Sequence, residues 1–162
     1  GIIAHLVWCN PDLEAKPCVQ VFTFGQHLQK DLGNNHRPLW RIKKKDAPLY
    51  PDQVRVESER QRIGDKRADP RGRVPGDVFD FPRVTGNSKQ RRTWHETQLH
   101  EGLVERCIKL STQEGDHVID PFAGAGTTLR VCKRIGRVCS TIDLCPVYCE
   151  EISREQGVKV EV

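Results

Sequence analysis

An α/β fold is predicted for this chain of 162 residues, and three observations carry the prediction. A short apolar run, His117-Val118-Ile119, leads into the acidic, glycine-rich turn Asp120-Pro121-Phe122-Ala123-Gly124-Ala125-Gly126-Thr127-Thr128. A helix-like segment follows the turn. Cys139-Ser140-Thr141-Ile142-Asp143 then repeats the pattern of a short strand ending in an acid. Strand, tight turn, helix and strand in that order form a parallel unit whose cofactor crevice lies at the carboxyl ends of the strands. Gly124 and Gly126 permit positive φ and a close approach to the backbone that a Cβ would obstruct. The amides that open the helix offer donors to a polar group. Asp143 can accept hydrogen bonds from both hydroxyls of a ribose. The plainer alternative has Asp120 and Asp143 only capping or solvating the sheet edge.

From the amino end, Gly1 to Trp8 and Cys18 to Phe24 have the apolar, β-branched and aromatic content of strands. Pro11, Pro17 and the polar residues between them read as the connection. His36 to Lys43 is a third strand, and Trp8, Phe22, Phe24 and Trp40 are assigned to the core. From Arg55 to Arg92 the chain carries eleven Lys/Arg against six Asp/Glu, although the net charge of the whole is only +4. Arg41, Lys43, Lys44 and Lys45 extend this stretch upstream. Basic side chains among Gly and Pro suit loops that follow a phosphate backbone, where arginine and glutamine can also read base edges. A solvated, charge-balanced loop is the competing reading. Glu101 to Leu110 and Thr127 to Ile135 are helix-like, and Gly136 stands where a helix-ending glycine would.

The wider composition bounds the function. The length suits one domain with a real core, and 36% of the residues are apolar. Neither a signal peptide nor a twenty-residue apolar run is present, so the expectation is a cytosolic protein that does not span a membrane. The seven cysteines form no Cys-x-x-Cys pair, and Cys145-x-x-x-Cys149 lacks a matching second pair. No metal site is expected, and most of the thiols are read as small buried hydrophobes.

Several of these segments, taken in order, resemble one family. Asp120-Pro-Phe-Ala-Gly-Ala-Gly-Thr-Thr resembles the Asp-Pro-Phe-x-Gly-x-Gly-Thr signature of amino-group DNA methyltransferases, which use S-adenosylmethionine. Trp94-His95-Glu96-Thr97-Gln98 resembles their His-Pro-Thr-Gln element, with Glu96 in place of proline. Glu114-Gly115-Asp116 is similar to the Pro-Gly-Asp lead into the cofactor strand, and Ile142-Asp-Leu-Cys-Pro-Val-Tyr148 to the Ile-Asp-x-x-Pro-x-Tyr segment. The order of elements is that of the permuted, β-class members. The resemblance implies a Rossmann-like fold in which Asp120, Pro121, Phe122, Ala123, Gly124, Gly126, Thr127 and Thr128 cradle the methionine part of the cofactor. Asp143 would hold the ribose, Leu144 would pack beside the adenine, and His95, Thr97 and Gln98 would add contacts. For His95 a surface or capping role stays open.

Ser58 to Gln61 and Asp65 to Val78 resemble the recognition segment of some members. Double-stranded DNA is the implied partner, contacted through Arg55, Arg60, Gln61, Lys66, Arg67, Arg71, Arg73, Lys89, Arg91 and Arg92, of which Arg91 and Arg92 carry the reading furthest. The implied organisation is sheet strands of the substrate half at 1–45, a basic recognition-like region at 46–92 and the cofactor-binding α/β unit at 93–162.

One family element is absent. The (Asp/Asn/Ser)-Pro-Pro-aromatic tetrapeptide grips the flipped base, and no such sequence occurs here; Asn10-Pro11-Asp12-Leu13 lacks the second proline and the aromatic. The expectation is therefore a C-terminal part of a methyltransferase, inactive alone, with no catalytic residue of its own. It would work with the missing amino-terminal part or a partner chain. Adenine N6 is favoured over cytosine N4 as the target on family frequency alone. A catalytically inactive DNA- or cofactor-binding module and a nucleotide-binding oxidoreductase are the alternatives, the second disfavoured because Leu129 stands where a third glycine would.

Overall fold

A computed structural model of the chain describes residues 1–26 and 28–161 and, at 24–26, the backbone alone. The chain forms two compact units, Gly1–Pro82 and Arg83–Val162.

The first unit opens with helix α1, Ile2–Cys9, where the apolar content had predicted a strand. Seven apolar residues interrupted only by His5 carry no period-two signal, so local i→i+4 bonding decides between the two states. Asn10 closes the helix: its side-chain amide donates to the Leu6 carbonyl at 2.8 Å. Its backbone is extended (φ −131°), as a residue before proline requires.

Strand β1, Leu13–Gln26, starts inside the predicted connection and runs through Pro17. It pairs antiparallel with β2, Asn34–Lys44, from Leu13↔Lys44 to Val21↔His36. Its other edge meets β3, Val78–Asp80, only at Val19 to Val21 and in parallel. Pro17 therefore sits where one side of the strand is open, and its missing N–H breaks no ladder bond. Gln20, buried between its neighbours, donates its side-chain amide to the Phe81 carbonyl at 3.0 Å and anchors the chain after β3.

The aromatic core assignment fails at both tryptophans. Trp8 is 85% exposed and Trp40 49% exposed, because nothing among the described residues covers the sheet face and helix side that carry them. Phe22 is half-buried, and the Phe24 side chain lies outside the described residues.

Between β2 and β3 the chain is loop-rich. It holds a 3-10 turn at Pro51–Val54, a single helical turn α2 at Glu59–Arg62, and a bridge between Val56 and Arg73. Ser58 and Gln61 form a capping box around α2, Ser58 Oγ accepting from the Gln61 amide and Gln61 Oε1 from the Ser58 amide. Gly72 (φ +83°) is required by the bridge, since a Cβ there would lie 2.4 Å from the Val56 carbonyl oxygen.

In the second unit a strap of successive turns, residues 83–100, precedes α3 (Glu101–Ser111), β4 (His117–Asp120), α4 (Thr127–Arg134), β5 (Val138–Thr141) and α5 (Pro146–Gln156). β4 and β5 pair in parallel from His117↔Val138 to Asp120↔Thr141, the predicted strand-helix-strand unit. Gly136 (φ +72°) follows the end of α4, as predicted. The predicted buried strand is half-buried instead. Val118 and Cys139 face inward, whereas Ile119 is 65% exposed, because only one face of this sheet is covered.

The core lies around α3 and α4: Leu103, Val104, Ile108, Leu129, Val131 and Cys132, joined by Ala123 and Ile152. Each fully buried aliphatic side chain here stabilises by about 1.5–3 kcal/mol. The thiols divide more evenly than expected. Cys132 is fully buried and hydrogen-bonds to Cys139, whose pKa burial pushes up to about 12, but Cys9 and Cys107 are exposed. Among the described residues no three His, Cys, Asp or Glu side chains gather as a metal site, and no helix is long and apolar enough to cross a membrane.

Gly126 joins the core to the turn. It adopts φ +68° as the residue that opens α4, and a Cβ there would sit 2.9 Å from Ile152 Cγ1. Gly126→Ala is expected to destabilise the chain by about 1–3 kcal/mol through backbone strain and the displaced isoleucine. A thermal melt checks this, and an unchanged midpoint would place the turn outside the cooperative core.

Candidate functional site

The glycine-rich turn runs from the end of β4 into α4 and is held from three directions. Asp143, just past β5, accepts from the Gly124 amide at 2.7 Å through Oδ2 and from the Cys145 amide at 2.9 Å through Oδ1. The Ala123 amide donates to the Ile142 carbonyl at 2.8 Å, a rung that continues the sheet into the loop. Asp120 Oδ1 accepts from the Phe122 amide at 3.0 Å and tightens the start of the turn. Each carboxylate oxygen of Asp143 has a second lone pair, so this bracing leaves acceptor capacity for hydroxyl groups. Asp120 caps its own turn, whereas Asp143 ties two strand-end loops together.

The turn glycines make room for protein as well as for a ligand. Gly124 (φ +50°) faces the His95 ring, and a Cβ would meet His95 Nε2 at 2.9 Å. His95 also packs against Tyr148 with centroids 4.8 Å apart, and Trp94 packs on the same tyrosine at 5.8 Å. His95 is thus partly buried among these rings. Its Nδ1 is buried with no partner, a state that commonly marks a place where a further polar group belongs.

The remaining predicted cofactor residues divide. Phe122 is 83% exposed and Leu144 99% exposed, both beside the strand ends and open to an apolar ligand surface. Pro121 is exposed and Thr128 partly buried. Thr127 is buried and its hydroxyl accepts from Arg130 at 3.2 Å. Thr97 is exposed, but Gln98 is buried in the strap, where it accepts from the Arg92 amide at 3.0 Å and donates to the Gln90 carbonyl at 2.6 Å. Neither belongs to a helix start, because α3 begins at Glu101 with His100 as its cap, Nδ1 accepting from the Gly102 amide. A groove of about 480 Å³ runs along Ser140, Thr141, Ile142 and Asp143, with Val158 and Lys159 also lining it.

An ionic network underlies the turn, which sequence reasoning did not anticipate because its members lie far apart in the chain. Arg130, nearly buried, donates to the Ala125 carbonyl at 2.6 Å and to Glu101 Oε1 at 3.3 Å, and lies 3.5 Å from Glu155 Oε2. Glu155 also pairs with Arg92, and Glu101 with Arg134, which reaches Glu105 at 3.0 Å. Burial, with the nearby Arg92 charge, depresses the Arg130 pKa. The Arg92 hydrogen bond holds the Glu155 carboxyl below its ordinary range. Burial alone would raise Glu101, but the bonds and charges of Arg134 and Arg130 bring it below its usual value as well.

The predicted DNA contacts also divide. Arg55 is bound to Asp52 at 2.6 Å and to the Gly72 carbonyl at 2.8 Å, and Gln61 is spent on the capping box and the Pro70 carbonyl. Arg67 on Asp65 and Arg71 on Asp69 repeat one local geometry, with backbone and guanidinium donating to the same aspartate two residues earlier. Arg92 is committed to Glu155. Arg60, Lys66, Arg73, Lys89 and Arg91 are exposed with no side-chain partner among the described residues.

The sequence pattern of a family described as DNA methylase matches residues 3–154. The chain belongs to this family. It is 35% identical over 142 residues to the type II methyltransferase M.BglII of Bacillus subtilis, covering 82% of this chain and 36% of that protein. It is likewise 35% identical over 135 residues to the DNA adenine methyltransferase YhdJ of Escherichia coli K12, covering 76% of this chain and 45% of that one. The chain thus spans less than half the length of these two family members. The crystal structure of an M1.HpyAVI–SAM complex superposes on 97% of this chain and 69% of that one, with a TM-score of 0.64 and 22% identity. That likeness establishes the Rossmann-like methyltransferase fold.

The depressed carboxylates make the second unit acid-sensitive. Their stabilising contribution is complete above the ordinary glutamate pKa of 4.5 and is lost as pH falls through the lower folded values. The melting temperature is expected to hold steady from neutral pH down to about 5 and to fall below it. Glu155→Gln should fall less steeply, as circular dichroism melts across this range would reveal. An identical acid limb in the variant would remove Glu155 from the effect.

Proposed function

We propose that this chain supplies the cofactor-holding and part of the DNA-contacting surface of an S-adenosylmethionine-dependent DNA amino-group methyltransferase. The observation that carries the reading is Asp143: a strand-end carboxylate, braced by two amides, with lone pairs left for a ribose. The rest of the site fits the same group. Phe122 and Leu144 offer exposed apolar surface beside the strand ends, and the buried, unpartnered Nδ1 of His95 lies behind the turn. When bound, the cofactor supplies an electrophilic methyl group on sulfonium sulfur. The chain's own residues hold and orient: Asp143 the ribose, Asp120 to Gly126 the methionine end, and Leu144 the base.

The target nitrogen must be presented by a base taken out of the stack, at a cost of a few kcal/mol. No (Asp/Asn/Ser)-Pro-Pro-aromatic tetrapeptide is available here to grip it. In this reading the chain binds the methyl donor but does not complete transfer alone, and works with the remainder of the enzyme or a partner chain. Adenine N6 is the favoured target. The exposed, unpaired Arg60, Lys66, Arg73, Lys89 and Arg91 are the phosphate contacts, while Arg55, Gln61 and Arg92 shape the loops that carry them. The domain reading keeps recognition in 46–92 and cofactor binding in 93–162.

The same tetrapeptide absence favours a second reading, an inactive binding module that acts by occupancy. Adding a fragment that bears the motif separates the two, because methyl transfer restored to DNA excludes the inactive module.

Calorimetry with S-adenosylmethionine and with NAD tests the cofactor. Heat from the first alone is expected, and heat from NAD alone would overturn the reading. Asp143→Asn keeps the side-chain volume but removes the charge, and is expected to weaken cofactor binding by about 1–3 kcal/mol. Equal affinity would exclude Asp143 from the site. For DNA, Arg91→Ala is expected to reduce the log–log salt slope of binding by about one unit, and Arg92→Ala to change it less. A slope equal to wild type in Arg91→Ala would support the solvated-loop alternative.

A further inference from the structure

Arg130 stands immediately after the glycine-rich turn, on the first turn of α4, yet its guanidinium points back under the turn. Only 8% of its side chain is exposed, an unusual burial for an arginine. Three kinds of oxygen surround it. The Ala125 carbonyl, between two positive-φ glycines, receives Nη1 at 2.6 Å. The Thr127 hydroxyl receives Nη2 at 3.2 Å. The carboxylates of Glu101 on α3 and Glu155 on α5 lie at 3.3 and 3.5 Å and balance the buried charge. Without the guanidinium, the inward carbonyl of Ala125 would lose its side-chain donor, and Glu101 and Glu155 would keep only Arg134 and Arg92.

The helices do not need Arg130 in order to pack, since Leu103, Val104 and Ile108 on α3 and Leu129 and Val131 on α4 fill the core independently. What the guanidinium adds is a fixed direction for the Ala125–Thr127 backbone. A planar fork with five donors can hold a carbonyl, a hydroxyl and two carboxylates at once; a lysine ammonium cannot. Arg134 provides the contrast: one helical turn further on, it shares Glu101, and its hydrogen bonds among the described residues go to Glu101 and Glu105 rather than to the turn.

We propose that Arg130 is a positioning residue for the cofactor turn: anchored by Glu101 and Glu155, it holds the Ala125 carbonyl and the Thr127 hydroxyl so that the turn is set before the cofactor arrives. This rests on the cofactor reading above. Glu155 is shared with Arg92, so one carboxylate links the strap that carries Arg91 and Arg92 to the guanidinium under the turn, beside the packing of His95 on Gly124.

Amide hydrogen exchange on the cofactor-free chain tests the proposal, with Arg130→Lys compared against wild type and Arg134→Met. Arg130→Lys keeps the charge that Glu101 and Glu155 need and removes only the fork, so the fold is preserved. Exchange at Ala125 to Thr128 is expected to rise about tenfold in Arg130→Lys, with the core amides of α3 unchanged and Arg134→Met like wild type. S-adenosylmethionine affinity should weaken about tenfold in Arg130→Lys and hold in Arg134→Met, even though Arg134→Met removes a partner of Glu101 and Glu105 and lowers the melting temperature. Turn exchange equal to wild type, or equal in both variants, would overturn the positioning role. A wild-type chain that binds no S-adenosylmethionine overturns the cofactor reading instead, because the exchange comparison needs no cofactor.

Discussion

The bonds from the Gly124 and Cys145 amides to the two oxygens of Asp143 organise the second unit's functional end. Through one carboxylate, the loop after β4 and the loop after β5 are fixed to each other. A charged acceptor shared by two backbone donors is worth more than a neutral bond, and each donor lies where the ladder of a short parallel sheet has run out. The Ala123–Ile142 rung and the Asp120–Phe122 bond extend the same register outward. The two strand ends therefore form one rim, along which Phe122 and Leu144 stay exposed.

Packing and charge support this rim from below by different means. Apolar contact works through Gly126, which lets Ile152 approach the backbone, and through Gly124, which does the same for the His95 ring. Charge works through Arg130 and its two glutamates. The first depends on the absence of side chains and the second on the presence of a long one, so a short turn is rigid without being filled. The nearest parallel in the first unit is local: Asp65 and Asp69 each fold a basic side chain back on itself, and exposed pairs of this kind are screened by solvent and contribute little. Their effect is to lower the free positive charge of the loops rather than to hold them.

The family pattern covers nearly the whole chain, while the chain covers less than half of M.BglII or YhdJ. A parallel sheet is ordinarily covered on both sides, yet Ile119, Val138 and Ile142 lie open, as do Trp8 and Trp40 in the first unit.

By itself, the sequence determined the elements whose signal is local. The order β4, glycine turn, α4, β5 was legible because glycines, acids and short apolar runs punctuate it every few residues, and α3 and the glycine after α4 followed from periodicity and cap chemistry. The acids at the strand ends were legible for the same reason. Tertiary structure decided the rest. Ile2–Cys9 became a helix because a nearly all-apolar run, broken only by His5, fits either state until Asn10 and Pro11 end it. Pro17 entered a strand because that strand has an open edge there. Gln98, Gln61, Arg55 and Arg92 left the list of free contacts because each found a partner, and for Arg92 that partner is 63 residues away. Arg130 joined the site through Glu101 and Glu155, which no spacing along the chain brings together. A residue's type states which bonds it can make, but only the fold brings a particular partner within reach.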